Sequence, residues 1–444
     1  MKNKKVLFRN TIERMVVVFF GMAPLFLVTV RSWINAILIL GSFACIFLLI
    51  KSKSEVESTQ NNCQRWIQLV CLTLTAPMLA IMFSSLMRSK FTWADFDSPA
   101  RFLLSTMIFL FAIRKRINIL YILQYAAPAS LLITCAHQLL FPQPRLWGAD
   151  RMSTYFADPL VFGYTSLTLG LISLVSINLV NRDSKSVITF KLIGLATGLY
   201  LSIMSGSRTG WVAAPIIIAI WLYQKFGRSD KRTYFIALII TITLFFGLFN
   251  FSSIVSQRLG TAFSEIINYP WTGLAPETSV GLRITFLRIA FDMFMSNPIV
   301  GFGDTRLELA PLPAHIYTYA TPESLRMAFI SGFHNEIVTN AIRSGLGGLV
   351  ASVMLFFVPI YIYFKKLNSV DQIQRGNALI GLIFTICVLI SSFSTEVFDL
   401  KYTASFYALM TALLCASSIA SHDKYFHSDQ EYALGCPENN ISSI

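Results

Sequence analysis

Long apolar runs recur from one end of the chain to the other, separated by short stretches of charged and turn-forming residues. Runs such as "TYFIALIITITLFFGLFNF" do not alternate apolar and polar residues as barrel strands do. A helix of about 20 apolar residues crosses the ~30 Å hydrocarbon layer of a membrane. The pattern predicts about twelve such spans, at 15–31, 33–50, 66–87, 100–113, 118–141, 159–180, 187–204, 209–225, 233–251, 344–364, 377–395 and 402–420. The first two are joined closely enough to form a helical hairpin. One long polar segment, 252–343, interrupts the series. Inside it, "LRITFLRIAFDMFMSN" places Phe286, Ile289, Ala290, Met293 and Phe294 on one helical face. Aromatic and proline-rich turns flank that stretch ("NYPWTGLAPE", "APLPAHIYTYATPE"). The expected organisation is a bundle of about nine helices over 1–251, a helical cap loop over 252–343, about three more helices over 344–420 and a polar tail over 421–444. The fold class is an all-α polytopic membrane protein.

Composition agrees. Of 444 residues, 55% are hydrophobic and 13% charged, about half the charged share of a soluble domain. Mean hydropathy is +0.60. The formal charge of +13 would suggest nucleic acid as a partner in a soluble protein. Here the positive residues fall largely in short loops, where they set topology and meet anionic lipid headgroups, so no nucleic acid partner is expected. With the N-terminus inside, the inner loops hold Lys51, Lys53, Arg65, Arg114, Lys115, Arg116, Arg182, Lys185, Lys225, Arg228, Lys231, Arg232, Lys365, Lys366 and Arg375. The short outer loops hold Arg31, Arg88, Lys90, Arg145, Arg151, Arg208 and Lys401, about half as many. The positive-inside rule therefore puts both termini in the cytoplasm and the 252–343 loop outside. No small-residue cleavage site follows the first apolar run, which reads as a retained helix. The cysteines form no CxxC or Cys/His cluster, so neither a zinc site nor a disulfide framework is suggested.

Polar groups collect on the outer face by topology: Arg151 in "GADRMSTYFADP", Arg208 in "SGSRTGW", Arg283 and Arg288 in "SVGLRITFLRIAFDMF", and His334 in "FHNEIVTNAIRSGLGG". An arginine fork matches phosphate oxygens, and it equally serves as a snorkelling anchor among headgroups. Arg283 and Arg288, five residues apart on a helix, point in different directions, so one of them faces a site. His334 alone also reads as a structural histidine. Asn335 and Glu336 suit a helix start, and Gly345, Gly347 and Gly348 suit close helix packing. Span interiors carry almost no charge, with Lys191 expected to snorkel to the inner face and His137 near an outer end. A transporter or flippase, with ionisable residues along a pathway, fits that pattern poorly. The lack of an internal repeat also weighs against one.

His334-Asn335, then nine residues, then "GLGG" ending at Gly348, resembles the H-[NSQ]-x9-G-x-x-G pattern of bacterial O-antigen ligases, membrane glycosyltransferases of the O-antigen ligase/polymerase superfamily. "SGSRTGWVAAP" resembles that family's arginine loop. "TSVGLRITFLRIAFDMFMSNPIVGFG" resembles its cap segment, ending in a Pro-x-x-Gly-x-Gly turn, and "RMSTYFADP" a looser motif before the middle span. Leu287 stands where the family often has tryptophan, and "MSTY" stands near Arg151 in place of its small-residue motif. The resemblance implies a GT-C-like, all-helical enzyme of the inner membrane with a periplasmic site and no metal or other cofactor. It would move O-antigen polysaccharide from undecaprenyl diphosphate to lipid A-core, in lipopolysaccharide biosynthesis. Arg208 and Arg283 would neutralise the departing diphosphate, and His334 would be the base for an inverting attack. Arg151, Arg288 and Asn335 would be further substrate contacts. An O-antigen polymerase, with a second carrier-linked glycan as acceptor, is the alternative within the superfamily.

Overall fold

The computed structural model describes residues 14–51, 63–141, 151–207, 209–227, 230–251, 260–261, 263–303 and 312–420, and among these there is no strand. The labelled helices begin with α1 (Trp33–Lys51), α2 (Gln64–Met87), α3 (Asp97–Lys115), α4 (Leu120–Leu140), α5 (Pro159–Val175), α6 (Lys185–Ser205), α7 (Thr209–Leu222) and α8 (Lys231–Phe251). The cap segment contributes α9 (Ser279–Ser296) and α10 (Pro322–Ser331). The chain then returns through α11 (Glu336–Lys366), α12 (Gln372–Ser392) and α13 (Lys401–Ile419). Seven of these, α1, α2, α3 with its leading turn, α6, α11, α12 and α13, are long and apolar enough to cross a membrane, and α5 is a shorter apolar helix. The chain is a multi-pass helical membrane protein.

Sequence signals account for six of the thirteen labelled helix starts. Asp158, Ser184, Thr278, Thr321, Asn335 and Asp371 each accept a hydrogen bond from the first turn of the helix that follows. α13 is the hub of the bundle: every residue from Tyr402 to Ile419 is buried. Some of its polar groups find backbone partners, as in Ser417 Oγ to the Ile117 carbonyl (2.6 Å) and Tyr407 OH to the Leu355 carbonyl (2.7 Å).

Three expectations change. The run 15–31 is not one span: helix covers 14–21, and turns occupy the chain from there to Trp33. Pro24 has no N–H to continue the ladder, and the bonds that follow are three-residue closures such as Leu27 N–H to the Pro24 carbonyl. The span expected at 344–364 starts eight residues earlier, at Glu336, with Asn335 as its cap. It is interrupted at Ser344 and Gly345, where Gly345 adopts φ 58°. That interruption receives the Pro298–Gly303 turn of the cap. Leu346 N–H donates to the Pro298 carbonyl (2.7 Å), Phe302 N–H to that of Ile342 (2.8 Å) and Gly303 N–H to that of Arg343 (2.9 Å). A Cβ on Gly345 would strike the Ile299 carbonyl, so glycine here admits another backbone rather than another helix.

Lys191 does not snorkel. It is fully buried, and its ammonium donates to Asp183 Oδ2, Gln124 Oε1 and the Ser176 carbonyl, each at 2.8 Å. Three acceptors satisfy three donors, which removes the reason to reach for water. Lys191→Met should cost about 3–5 kcal/mol by stranding the Asp183 charge. Denaturant unfolding in detergent checks this; an unchanged midpoint would mean Asp183 is solvated.

The cap has its own small core. Phe286, Ile289, Ala290 and Met293 of α9 pack with Ile316, Tyr319, Ala320 and Ala328, and the cluster runs on into Phe333 and Ile342 at the head of α11. The predicted apolar face of α9 is thus the face that joins cap to bundle. Phe294, expected on it, is half-buried at its edge.

Candidate functional site

Several helix ends meet beneath the cap. The 151–157 strand-like approach to α5 lies against the end of α6, with Met152 N–H donating to the Met204 carbonyl (2.8 Å) and Arg151 Nε to that of Ser205 (3.0 Å). Gly206 then turns the chain with φ 69°, and Ser207 Oγ donates to the Leu160 carbonyl (3.4 Å). Arg208, the next residue, lies outside the described residues.

Arg283 stands on α9 facing this corner. It is exposed to an open groove of about 810 Å³ that also includes Trp271, Leu287, Phe291 and Tyr319, while protein crowds its other sides. That crowding lowers its pKa from the usual arginine value, and the neighbouring Arg151 charge lowers it further. Among the described residues no carboxylate pairs with Arg283. Arg288 lines the same groove, so the five-residue spacing does not separate the two arginines as expected. Its guanidinium lies 3.9 Å from the Tyr319 ring centroid and donates to the Trp271 carbonyl at 3.3 Å. It braces the cap wall there.

His334 sits between α10 and α11, half-buried, its ring stacked on Phe286 of α9 (centroids 5.7 Å apart, 29° between planes). Its backbone has φ 51°, in the left-handed region that only glycine enters freely. Holding a non-glycine residue there costs of order 1–3 kcal/mol and needs surrounding structure to enforce it. Burial lowers the imidazole pKa, and the Arg283 charge lowers it again. Arg151, Arg283 and His334 therefore form one electrostatic group drawn from three separate parts of the chain. Asn335 is nine-tenths buried and its Oδ1 accepts from Val338 N–H (3.1 Å), a capping role.

Four carboxylates around this corner went unremarked as site groups in the sequence. Asp158 caps α5 near Arg151, its pKa raised by burial against the pull of two backbone N–H groups and that arginine. Glu336, buried, accepts from Phe398 N–H (2.8 Å). Glu396, also buried, accepts from Phe333 N–H (2.8 Å). Asp399 pairs with Arg343 at 3.1 Å. The last two stand in the loop joining α12 to α13, which alternation of spans puts on the same side as His334; that was the available signal. Glu336, Arg343 and Asp399 also wall a second cavity of about 260 Å³ that reaches Asp97 and Arg101 on α3.

The site can hold an anion on guanidinium groups beside an imidazole kept neutral near pH 7. The family "O-Antigen ligase" matches residues 193–353, which take in Arg283, His334 and the Gly345 interruption. The chain is 25% identical over 304 residues to an uncharacterized protein of Haemophilus influenzae, covering 65% of this chain and 71% of that one. It is also 25% identical over 222 residues to the O-antigen ligase of Escherichia coli, covering 49% of this chain and 50% of the relative.

Proposed function

From a chain that carries an O-antigen ligase domain across residues 193–353, we propose that this protein transfers O-antigen polysaccharide from undecaprenyl diphosphate to lipid A-core. The reaction takes place at the periplasmic face of the inner membrane, in a GT-C-like enzyme with both termini cytoplasmic. The observation that carries the reading is the meeting of Arg283 with Arg151 and His334 under the cap.

An acceptor hydroxyl oxygen attacks the anomeric carbon, and its proton passes to the neutral His334 imidazole. The carbon–oxygen bond to the diphosphate breaks on the opposite side and its electron pair leaves with the phosphate, so the anomeric centre inverts. Charge builds on the diphosphate as that bond stretches. Arg283 neutralises it with Arg151 nearby, Arg208 is assigned the same role, and no metal takes part. Arg288 meets substrate where the groove passes it. Asn335 acts through the start of α11. Both substrates are lipid-anchored, which is why the cluster lies where cap and spanning helices meet.

A base whose pKa is depressed stays neutral to lower pH. The transfer rate should rise with pH along a limb centred below the ordinary histidine value of about 6.5 and be flat above it. A pH–rate profile checks this, and a limb centred above 7 would contradict it.

Deleting the gene and examining the lipopolysaccharide tests the reaction. Loss of a ligase leaves bare core while carrier-linked polymer accumulates. Core bearing a single repeat unit would instead identify a polymerase.

A further inference from the structure

His334 is held in an unfavourable backbone conformation, φ 51°, between the Gly332 turn and the Asn335 cap. A long-range grip on that turn comes from the α12–α13 loop. Glu396 is 9% exposed, and its Oε1 accepts both the Phe333 N–H at 2.8 Å and the Thr339 hydroxyl at 2.5 Å. Those two donors bracket His334 in the chain. The Glu396 carboxylate also faces Gly332 so closely that a Cβ there would collide with it, and Gly332 itself has φ 80°. In the reverse direction, Glu336, 2% exposed, reaches back so that its Oε2 accepts from Phe398 N–H at 2.8 Å, while Asn340 Nδ2 occupies Oε1. Each segment thus places a buried carboxylate on the other's backbone amide. Burying a carboxylate is costly, and an apolar side chain would fill the same space more cheaply. What an apolar residue would not supply is a fixed acceptor for the amide one residue before His334.

We propose that Glu396 is the positioning residue for His334: by gripping Phe333 N–H and Thr339 it holds the Gly332–Asn335 turn so that the imidazole stacks on Phe286 beside Arg283. The inference rests on the reading of His334 as the base. It assigns Glu396 no contact with substrate.

The test uses the full chain reconstituted in lipid, with carrier-linked O-antigen and lipid A-core. Wild type is compared with Glu396→Ala, Glu396→Gln, Gly332→Ala and His334→Ala for kcat, donor KM and thermal midpoint. A displaced catalytic group typically costs about a hundredfold. Glu396→Ala should therefore lose about that factor in kcat with donor KM changed less than about threefold. Glu396→Gln keeps an oxygen for Phe333 N–H and should recover most of the loss. Gly332→Ala, which presses on the same carboxylate from the other side, should lower kcat with KM again unmoved. Full kcat in both Glu396→Gln and Gly332→Ala, alongside full kcat or failure to fold in Glu396→Ala, would overturn the proposal. So would kcat, KM and midpoint collapsing together in Glu396→Gln. His334→Ala separates the two readings: if it stays active the base assignment fails, whereas if it is dead and the Glu396 variants are fully active only the positioning role fails.

Discussion

Alanine at His334 should lower kcat for transfer by about 10²–10⁴-fold, the usual loss when a positioned base is removed, while leaving donor binding near wild type. The size of the effect follows from the absence of a substitute. The groove that Arg283 lines also holds His315 and Asp292, but those two pair with each other at 3.0 Å and Asp292 accepts from Tyr319 OH as well, whereas the charge of Arg283 acts on His334. Neighbouring carboxylates are committed: Glu396 to Phe333 and Thr339, Glu336 to Phe398 and Asn340. The stability change should be small, since the ring is half-buried and the turn is held through backbone amides rather than through the imidazole. Turnover and equilibrium binding of carrier-linked donor, measured on the same preparation, check both halves. Loss of donor binding together with turnover would make His334 a scaffold residue.

Arg283→Ala should lower kcat by about 10²–10³-fold, as removal of a charge-stabilising donor does elsewhere, and weaken donor binding as well. Arg283 lies in the open groove without a carboxylate partner among the described residues, so its charge is available to a ligand. Arg283→Lys keeps the charge but loses the planar fork, and should recover only part of the loss. The variant has a second signature. Arg283 depresses the His334 pKa, so its removal lets that pKa climb, and the acidic limb of the residual activity should move to higher pH. An unmoved limb would mean that the two groups are not coupled in the working enzyme.

Arg283 and His334 were singled out in the sequence mainly by the resemblance of their motifs to the O-antigen ligase pattern. For Arg283 that motif was the cap segment ending in a Pro-x-x-Gly-x-Gly turn. For His334 it was the His-Asn start and its spacing to the glycines ending at Gly348. Helix geometry alone predicted that Arg283 and Arg288 would part, yet both line the one groove. What stayed hidden depended on long-range contact. Gly345 reads equally well as a helix-packing residue or a backbone kink, because glycine permits both and the Pro298–Gly303 turn that decides lies more than 40 residues away. Lys191 looked free to snorkel because Asp183, Gln124 and the Ser176 carbonyl meet it only once α4, α5 and α6 pack. Glu396 looked like an ordinary loop carboxylate, since the amide it grips belongs to a segment 63 residues earlier. Pro24 was a visible breaker that apolar continuity outweighed in the reading of 15–31.

The most direct measurement is transfer of carrier-linked O-antigen to purified lipid A-core by the reconstituted protein in the presence of EDTA, with His334→Ala and Arg283→Ala beside it once both are confirmed folded. Transfer that survives EDTA and collapses in both variants is the expected result. Longer carrier-linked chains with nothing on the core, or full transfer by His334→Ala, would contradict it.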